Sequence, residues 1–175
     1  MSKPPRRISA TYLENAALHY LERFASSAEN LRRVLMRKVS RAAEFHGDDP
    51  AQGAALVEAL LARYRASGLL DDAAYAGAKS RSLHRRGSSG RAIRQSLAQK
   101  GVGAEVIDAA LSDLAEDAGE DRELAAARNY ARRRRLGCWR PEESRADHRD
   151  KDLAALGRAG FSWAIAVKAL EEEEQ

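Results

Sequence analysis

Apolar residues recur three times along the chain with the spacing i, i+1, i+4, i+5, i+8, of which the last copy has the first four positions. The three sets are Leu56, Val57, Leu60, Leu61 and Tyr64; then Val106, Ile107, Ala110, Leu111 and Leu114; then Ile165, Ala166, Ala169 and Leu170. This spacing places the apolar side chains on one face of an α-helix. The pattern therefore predicts one helix at each place, and we take it as the third helix of a repeated unit.

A second pattern precedes each of these helices. The segments "SSAENLRRVLMRK" and "SSGRAIRQSLAQK" place Ser27 and Ser89 ahead of an apolar i, i+4 pair, and "RDKDLAALGRAGF" is a looser third copy. A serine at this position accepts hydrogen bonds from the free N–H groups of a helix start. We therefore predict that both serines cap a second helix. Gly101 and Gly160 follow the later copies and are expected to end their helices with positive φ.

A first helix is predicted ahead of each pair. Leu13, Ala17, Leu21 and Phe24 indicate the first copy, and "DDAAYAGAKSRSLHRR" and "ELAAARNYARRRR" indicate the others. No segment shows the alternation of β-branched residues that strands require. The predicted fold is all-α, with three tandem three-helix repeats that form an elongated, curved array.

The predicted boundaries follow from these patterns. Residues 1–10 form a basic, disordered N-terminus, residues 11–70, 71–118 and 119–171 form the three repeats, and residues 172–175 form an acidic tail. The first repeat has a longer connection between its second and third helices than the second repeat has. We predict a loop insertion near residues 39–53, which contains "HGDDPAQG".

Charge is abundant and nearly balanced. The chain has 30 basic and 26 acidic residues, a formal net charge of +4, and a single cysteine that excludes an internal disulfide. There is no secretory signal and no apolar run of the length of a membrane span, which is about 20 residues. These features predict a monomeric, cytoplasmic protein that does not contact membranes.

Basic residues cluster in two places. Seven basic residues and no acidic residue occur from Lys79 to Lys100, and four arginines follow one another at Arg132–Arg135. Such runs are either solvated helix faces that complement the helix dipole or contacts to an anionic partner. The candidate contacts to DNA phosphates or to acidic protein groups are Arg81, Arg85, Arg86, Arg91, Arg94, Lys100, Arg132, Arg133, Arg134 and Arg135.

The third helix of the second repeat is acidic, with Glu105, Asp108, Asp113 and Glu116. In helix-turn-helix proteins the last helix enters the major groove, where phosphates repel such charges. Sequence-specific reading of DNA is therefore disfavoured. A basic surface on the first and second helices that follows a nucleic-acid backbone or an acidic partner fits better.

The sequence offers no candidate catalytic group. The histidines and Cys138 lack metal-ligand spacing, and "RRGSSGR" lacks the Lys-Ser/Thr of a phosphate-binding loop. We interpret Asp71 as a helix cap and Asp72 as a residue of the first helical turn. No enzyme activity, cofactor or metal is expected.

Several segments resemble the RecX family of regulatory proteins. "GLLDDAAYA" and "LHRRGSSGRAIRQSLAQKGV" are similar to its unit-joining segment and to the helix that follows, and "ALHYLERFASSAENLRRVLMRK" and "LAALGRAGFSWAIAVKAL" resemble its opening and its close. Together with the segments between them, they extend the resemblance over nearly the whole chain. The chain departs from the pattern at Val39, where the family has glycine after the lysine, and in the insertion of the first repeat.

The resemblance implies an inhibitory modulator of the RecA recombinase. Such a protein lies in the groove of the RecA–DNA filament, suppresses ATP hydrolysis and strand exchange, and binds single- and double-stranded DNA without sequence specificity. DNA repair, homologous recombination and the SOS response are the processes it would serve. The alternative is a stand-alone nucleic-acid-binding helical repeat protein that needs no recombinase.

Overall fold

The computed structural model describes residues 4–118 and 122–171, and these residues form helices and connecting turns without any strand. The helices are α1 (Ala10–Leu21), α2 (Ala28–His46), α3 (Pro50–Ala66), α4 (Asp72–Arg85), α5 (Gly90–Gln99), α6 (Ala104–Ala118), α7 (Arg122–Arg134), α8 (Glu142–Arg158) and α9 (Trp163–Leu170). The predicted all-α class is confirmed, and the helices occur in three successive triplets. The predicted acidic tail lies outside the described residues.

The chain divides into two compact units. The first unit runs up to Tyr75 and also contains Lys100–Val102, whereas the second contains Ala76–Gln99 and the chain from Gly103 onwards. The boundaries predicted for the three repeats stay a prediction.

The first unit packs α1, α2 and α3 around an aliphatic core. Leu13, Leu31, Leu35 and Leu61 are completely buried in it, and so is Val57. Val57 and Leu61 belong to the predicted apolar stripe of the third helix, which the structure therefore confirms as the buried face of α3.

Phe24 does not belong to this core, contrary to the interpretation of the first apolar pattern. Helix α1 ends at Leu21, and Phe24 is 55% exposed, with its ring 5.2 Å from that of Tyr20. The turn after Leu21 takes Phe24 out of the helical register that the pattern assumed.

The predicted loop insertion near residues 39–53 is mostly helical. Helix α2 continues to His46, Gly47 ends it with a φ of 72°, and α3 begins at Pro50. The chain has valine at position 39, where the family pattern has glycine, and α2 continues through it. Val39 is buried, and a Cβ on Gly53 would lie 2.5 Å from its Cγ1 atom. Close packing of α3 on α2 therefore requires glycine at position 53.

The predicted disorder of residues 1–10 does not hold from Pro5 onwards. The Pro5 carbonyl lies 2.8 Å from His46 Nε2, and Ile8 packs against the core of the first unit. The prolines and arginines around Ile8 led to the prediction of disorder, and composition alone does not reveal that this single apolar side chain packs against the core.

The second unit contains a small-residue core built from α7, α8 and α9. Ala126, Ala127, Leu156 and Ala166 are completely buried in it, and Phe161 is nearly so. The many alanines allow close approach of the three helices, and the predicted stripe of the last helix again forms the buried face.

Ser27 and Ser89 are both completely buried and cap α2 and α5 as predicted. Ser27 Oγ accepts a hydrogen bond from the Asn30 N–H at 3.2 Å, and Ser89 Oγ accepts one from the Ala92 N–H, also at 3.2 Å. These bonds satisfy N–H groups that have no partner within the helix.

Each serine hydroxyl also donates to a carbonyl far away in the sequence. Ser27 Oγ donates to the Lys100 carbonyl within the first unit, and Ser89 Oγ donates to the Ala159 carbonyl at 2.7 Å within the second. A hydroxyl has one donor and two acceptor sites, so it can make both bonds at once. Both acceptors precede the glycines that end α5 and α8, so the two contacts are equivalent.

A carboxylate completes each contact. Asp72 Oδ1 accepts from the Ala28 N–H, and Glu123 Oε1 accepts from the Gly90 N–H, each at 2.8 Å. A negative charge at a helix N-terminus is favourable. We call these arrangements the first capping joint (Ser27, Asp72 and the Lys100 carbonyl) and the second capping joint (Ser89, Glu123 and the Ala159 carbonyl).

Gly101 and Gly160 have φ values of 74° and 95°, which confirms the predicted positive φ. They also allow a close approach that the sequence did not reveal. A Cβ on Gly101 would lie 2.6 Å from Glu29 Cβ, and a Cβ on Gly160 would lie 2.6 Å from Ser89 Oγ. Glycine at these positions therefore ends a helix and leaves room for the capping joint.

The turn between α7 and α8 is held by a buried ion pair. Asp152 is 2% exposed, and its carboxylate accepts from Arg140 Nη2 at 2.8 Å and from the Gly137 N–H at 2.9 Å. Burial raises the pKa of Asp152, but the bonds from Arg140 and Gly137, with the charges of Arg140 and His148, outweigh it, so its pKa is lowered.

We expect Ser27→Ala to destabilise the protein more than Ser9→Ala. Ser9 is an exposed cap whose hydroxyl accepts from the Tyr12 N–H at 3.2 Å, as Ser27 does from Asn30, but this hydroxyl makes no second bond to any residue that the structure describes. Ser9→Ala should lower the free energy of unfolding by about 1 kcal/mol. Ser27→Ala should cost about 2 to 3 kcal/mol, because it also leaves a carbonyl without its donor. Urea unfolding followed by circular dichroism measures both, and equal losses would contradict the double role of Ser27.

We expect the loss caused by Asp152→Asn to depend on pH. The lowered pKa means that the carboxylate stabilises the fold above its unfolded pKa of about 3.9 and ceases to do so as the pH falls through its folded pKa. Asp152→Asn should therefore lower the free energy of unfolding by about 3 kcal/mol at neutral pH. The difference in this free energy between the variant and wild type should become smaller below about pH 4. The exposed Asp150→Asn serves as the control. A difference for Asp152→Asn that stays constant down to pH 2 would contradict this assignment.

Candidate functional site

The predicted basic residues of α4 and α5 are largely in contact with solvent. Arg81 and Arg85 are exposed on α4, Arg86 is exposed in the turn that follows, and Arg91 and Arg94 are exposed on α5. Their exposure agrees with the helical register that the sequence predicted.

Two of the predicted basic residues already have partners within the protein. Arg94 forms an ion pair with Asp108 at 2.5 Å, and the Lys100 ammonium donates to Asn30 Oδ1 at 3.4 Å beside the first capping joint. Lys100 is also half-buried. These two residues are consequently less available to a partner than Arg81, Arg85 and Arg91, for which the described residues provide no ion pair.

The arginines at the end of α7 have individual environments. Arg132 donates to Asn129 Oδ1 at 3.1 Å, Arg134 lies over the Tyr130 ring at 4.9 Å, and Arg135 has a φ of 55°. Arg133 donates from Nη1 to the Arg86 carbonyl at 2.9 Å. This bond brings the two basic runs of the sequence together within the second unit.

The two runs meet at a cavity of about 740 Å³, which we call the arginine cavity. Its lining contains four arginines and no carboxylate. The lining residues are Arg86, Gly87, Ser88, Ala92, Tyr130, Arg133, Arg134, Ala155, Arg158 and Ala159. A concave surface with several guanidinium groups is suited to bind an anion through bidentate hydrogen bonds.

The turn between α4 and α5 forms one wall of the cavity because Gly87 allows it to contact α7 directly. Gly87 has a φ of 81°, and a Cβ there would lie 2.6 Å from the Tyr130 nitrogen and 2.9 Å from the Ala126 oxygen. The glycines of "RRGSSGR" therefore serve internal packing, since Gly90 similarly lies against Glu123.

Helix ends supply the other walls. Arg133 and Arg134 lie in the last turn of α7, and Arg158 is the last residue of α8. Cations at these positions complement the negative end of the helix dipole. This accounts for basic residues at each helix end, but not for their convergence on one cavity.

Arg158 and Tyr130 were missed by the sequence analysis. Arg158 stands outside both basic runs, so a search for charge clusters did not select it. The available signal was its position directly before Ala159 and Gly160, which the repeat aligns with Lys100 and Gly101.

The structure gives the arginines of the cavity no acidic partner among the described residues, whereas some other arginines of the chain form ion pairs. Arg32 pairs with Glu58 and Arg63 with Glu14, each at 2.5 Å. In contrast, the guanidinium group of Arg86 forms no hydrogen bond or ion pair with any residue that the structure describes, and the same holds for Arg158.

Asp71 and Asp72 have structural roles. Asp71 Oδ1 accepts from the Ala74 N–H at 2.9 Å and caps α4 as predicted, while Asp72 lies in its first turn and serves the first capping joint. Within residues 4–118 and 122–171, no three or more His, Cys, Asp or Glu side chains are grouped so as to hold a metal. No helix of the same residues has the length and apolarity to cross a membrane.

Comparison with known proteins gives consistent results. A family model described as the second three-helix domain of RecX matches residues 71–111, which begin just before α4 and end within α6. A crystal structure of a regulatory protein RecX superposes with a TM-score of 0.65 at 26% identity, covering 93% of this chain and 72% of that one.

Two relatives extend the similarity over nearly the full chain. The regulatory protein RecX of Agrobacterium fabrum is 35% identical over 91% of this chain and 82% of its own length. The regulatory protein RecX of Myxococcus xanthus is 48% identical over 97% of this chain and 89% of its own length. With this identity over almost the entire sequence, the chain belongs to the RecX family of regulatory proteins.

Proposed function

We propose that this protein regulates the RecA recombinase as an inhibitor. It binds in the groove of the RecA–DNA filament and suppresses ATP hydrolysis and strand exchange. Family membership supports a regulatory role, and the resemblance in the sequence supports RecA as the partner. The observation that carries the proposal within this molecule is the convergence of Arg86, Arg133, Arg134 and Arg158 on one cavity.

Charge is divided in a way that suits a filament of protein and DNA. The arginines on α4, α5 and α7 present positive charge to DNA phosphates or to acidic protein groups. Helix α6 presents exposed acidic side chains, among them Glu105, Asp113 and Glu116, which suit basic patches on a protein and not DNA. A chain with both surfaces can contact nucleic acid and recombinase together.

Inhibition would follow from contacts to successive RecA subunits. A protein that bridges neighbouring subunits across the groove hinders the subunit movement that accompanies ATP turnover, or favours filament disassembly. In either case, the protein binds one state of the filament more tightly than the other, and this difference in affinity lowers the population of the state that hydrolyses ATP.

The second candidate function is non-sequence-specific nucleic-acid binding without a recombinase. The arginine cavity is the observation that favours it, since a phosphate could bind there in the absence of RecA. In that case the protein would act only by coating DNA, and its binding would weaken steeply with salt.

We expect Arg85→Ala combined with Arg91→Ala to weaken inhibition of the single-strand-dependent ATPase of RecA. Each exposed charged contact contributes about 0.7 kcal/mol, so losing two should raise the half-inhibitory concentration about tenfold. The measurement is a titration of ATP hydrolysis on DNA pre-saturated with RecA.

The matched control is Arg149→Ala with Lys151→Ala, which removes the same charge from exposed positions of α8 outside the two basic runs. We expect this variant to inhibit like wild type. The site assignment is wrong if Arg85→Ala with Arg91→Ala inhibits as well as the control does. The proposed function itself is wrong if the wild-type protein inhibits only when it is abundant enough to coat the DNA.

A further inference from the structure

We propose that the arginine cavity of the second unit binds one phosphate ester group of a nucleotide. The inference deepens the proposed function and rests on it only for the source of the ester, which would be the DNA strand within the filament. The cavity brings together Arg86, Arg133, Arg134 and Arg158, which come from three different places in the sequence.

The first argument is uncompensated charge. Four guanidinium groups line one concave surface that has no carboxylate in its lining. Like charges that line one cavity repel each other, and elsewhere the chain pairs arginines such as Arg32 and Arg63 with acidic residues. An anion in the cavity would replace that repulsion by attraction.

The second argument is that two of the arginines are already positioned. Arg133 is fixed by its bond to the Arg86 carbonyl, and Arg134 is stacked on Tyr130, whose ring packs against Phe161 with centroids 6.0 Å apart. An arginine has five N–H donors, so one internal bond or a ring contact leaves others available. Prior positioning reduces the entropy that is lost when an anion is bound.

The third argument selects a phosphate ester over other anions. A phosphate ester has two or three charged oxygens around a tetrahedral phosphorus, with weaker ester oxygens beside them, so guanidinium groups on different walls can donate to it, whereas the two oxygens of a carboxylate lie in one plane. The cavity of about 740 Å³ is larger than a bare phosphate requires. Its remaining lining includes Tyr130, Ala92 and Ala155, which offer apolar contact to a sugar or a base.

The ester has two possible sources, a nucleic-acid strand and a free nucleoside phosphate. We would measure the anisotropy of a fluorescein-labelled single strand of 20 thymidines with the full-length protein alone. Unlabelled ATP, inorganic phosphate and a hexaglutamate peptide are the competitors, at constant ionic strength. Salt is then varied for the strand only.

The test variant is Arg133→Gln with Arg158→Gln, and the control is Arg149→Gln with Lys151→Gln, which carries the same loss of charge. We expect the test variant to bind the strand about tenfold more weakly, because it loses two charged contacts. The slope of log affinity against log salt should also decrease by about 0.7, the value for one phosphate on a single strand. The control should keep the wild-type affinity and slope, and circular dichroism verifies that both variants are folded.

The competitors distinguish the sources. If ATP displaces the strand from the wild-type protein and fails to displace the strand that the test variant still binds, a free nucleoside phosphate is identified as a ligand. If ATP does not compete with the strand and the test variant still binds the strand more weakly, the strand is the source of the ester. Equal strand binding by the test variant and the control would overturn the inference, and so would a hexaglutamate peptide that displaces the strand better than any phosphate.

The same proteins in the RecA ATPase assay separate this inference from the proposed function. If the wild-type protein inhibits RecA and the test variant binds the strand as well as wild type does, the phosphate site is refuted and the regulatory role remains intact. Strand binding that depends on the cavity, without any inhibition of RecA below coating concentrations, would support the site and refute the regulatory role.

Discussion

A buried serine that makes two hydrogen bonds is the interaction on which much of this structure depends. Ser27 and Ser89 each cap a helix and donate to a carbonyl at the end of a second helix, and a carboxylate from the first turn of a third helix satisfies the next N–H group. Every group in such a joint is buried or half-buried, so leaving one unpaired is costly. The joint also explains why glycine follows the accepting carbonyl, since any side chain there would overlap the start of the capped helix.

The second capping joint also determines the arginine cavity. Ser89 adjoins Ser88 in one wall, and its acceptor Ala159 adjoins Arg158 in another. A hydrogen bond of 2.7 Å between these walls fixes the distance between the start of α5 and the end of α8. The repeated segment of the sequence is thus structural, and the candidate function resides in the side chains that flank it. The backbone beneath the positively charged side chains of the cavity is thereby fixed.

The sequence predicted the features that local periodicity controls. The helix triplets, the serine caps and the positive φ at Gly101 and Gly160 follow from spacing and residue type alone. Features that depend on distant contacts were not predicted. The cap that Asp72 provides for α2 requires knowledge of which helix ends meet, and so does the position of Arg158 in the cavity.

The insertion was predicted as a loop because turn-forming residues surround Gly47, yet helix α2 ends only there. Which exposed arginine meets a partner depends on a second molecule, and no periodicity within one chain reveals it.

The central claim is that the arginine cavity faces DNA while the acidic helix α6 faces protein within a RecA filament. The most direct test is photo-crosslinking from single cysteines in a Cys138→Ser background. One variant carries an aryl azide on Ser88→Cys, a position that lines the cavity. The other variant carries it on Ser112→Cys, a position that is exposed on α6. The account predicts that, in RecA filaments, the first forms adducts with DNA and the second forms adducts with RecA. Adducts of the Ser88→Cys probe with RecA alone, or of the Ser112→Cys probe with DNA, would contradict it.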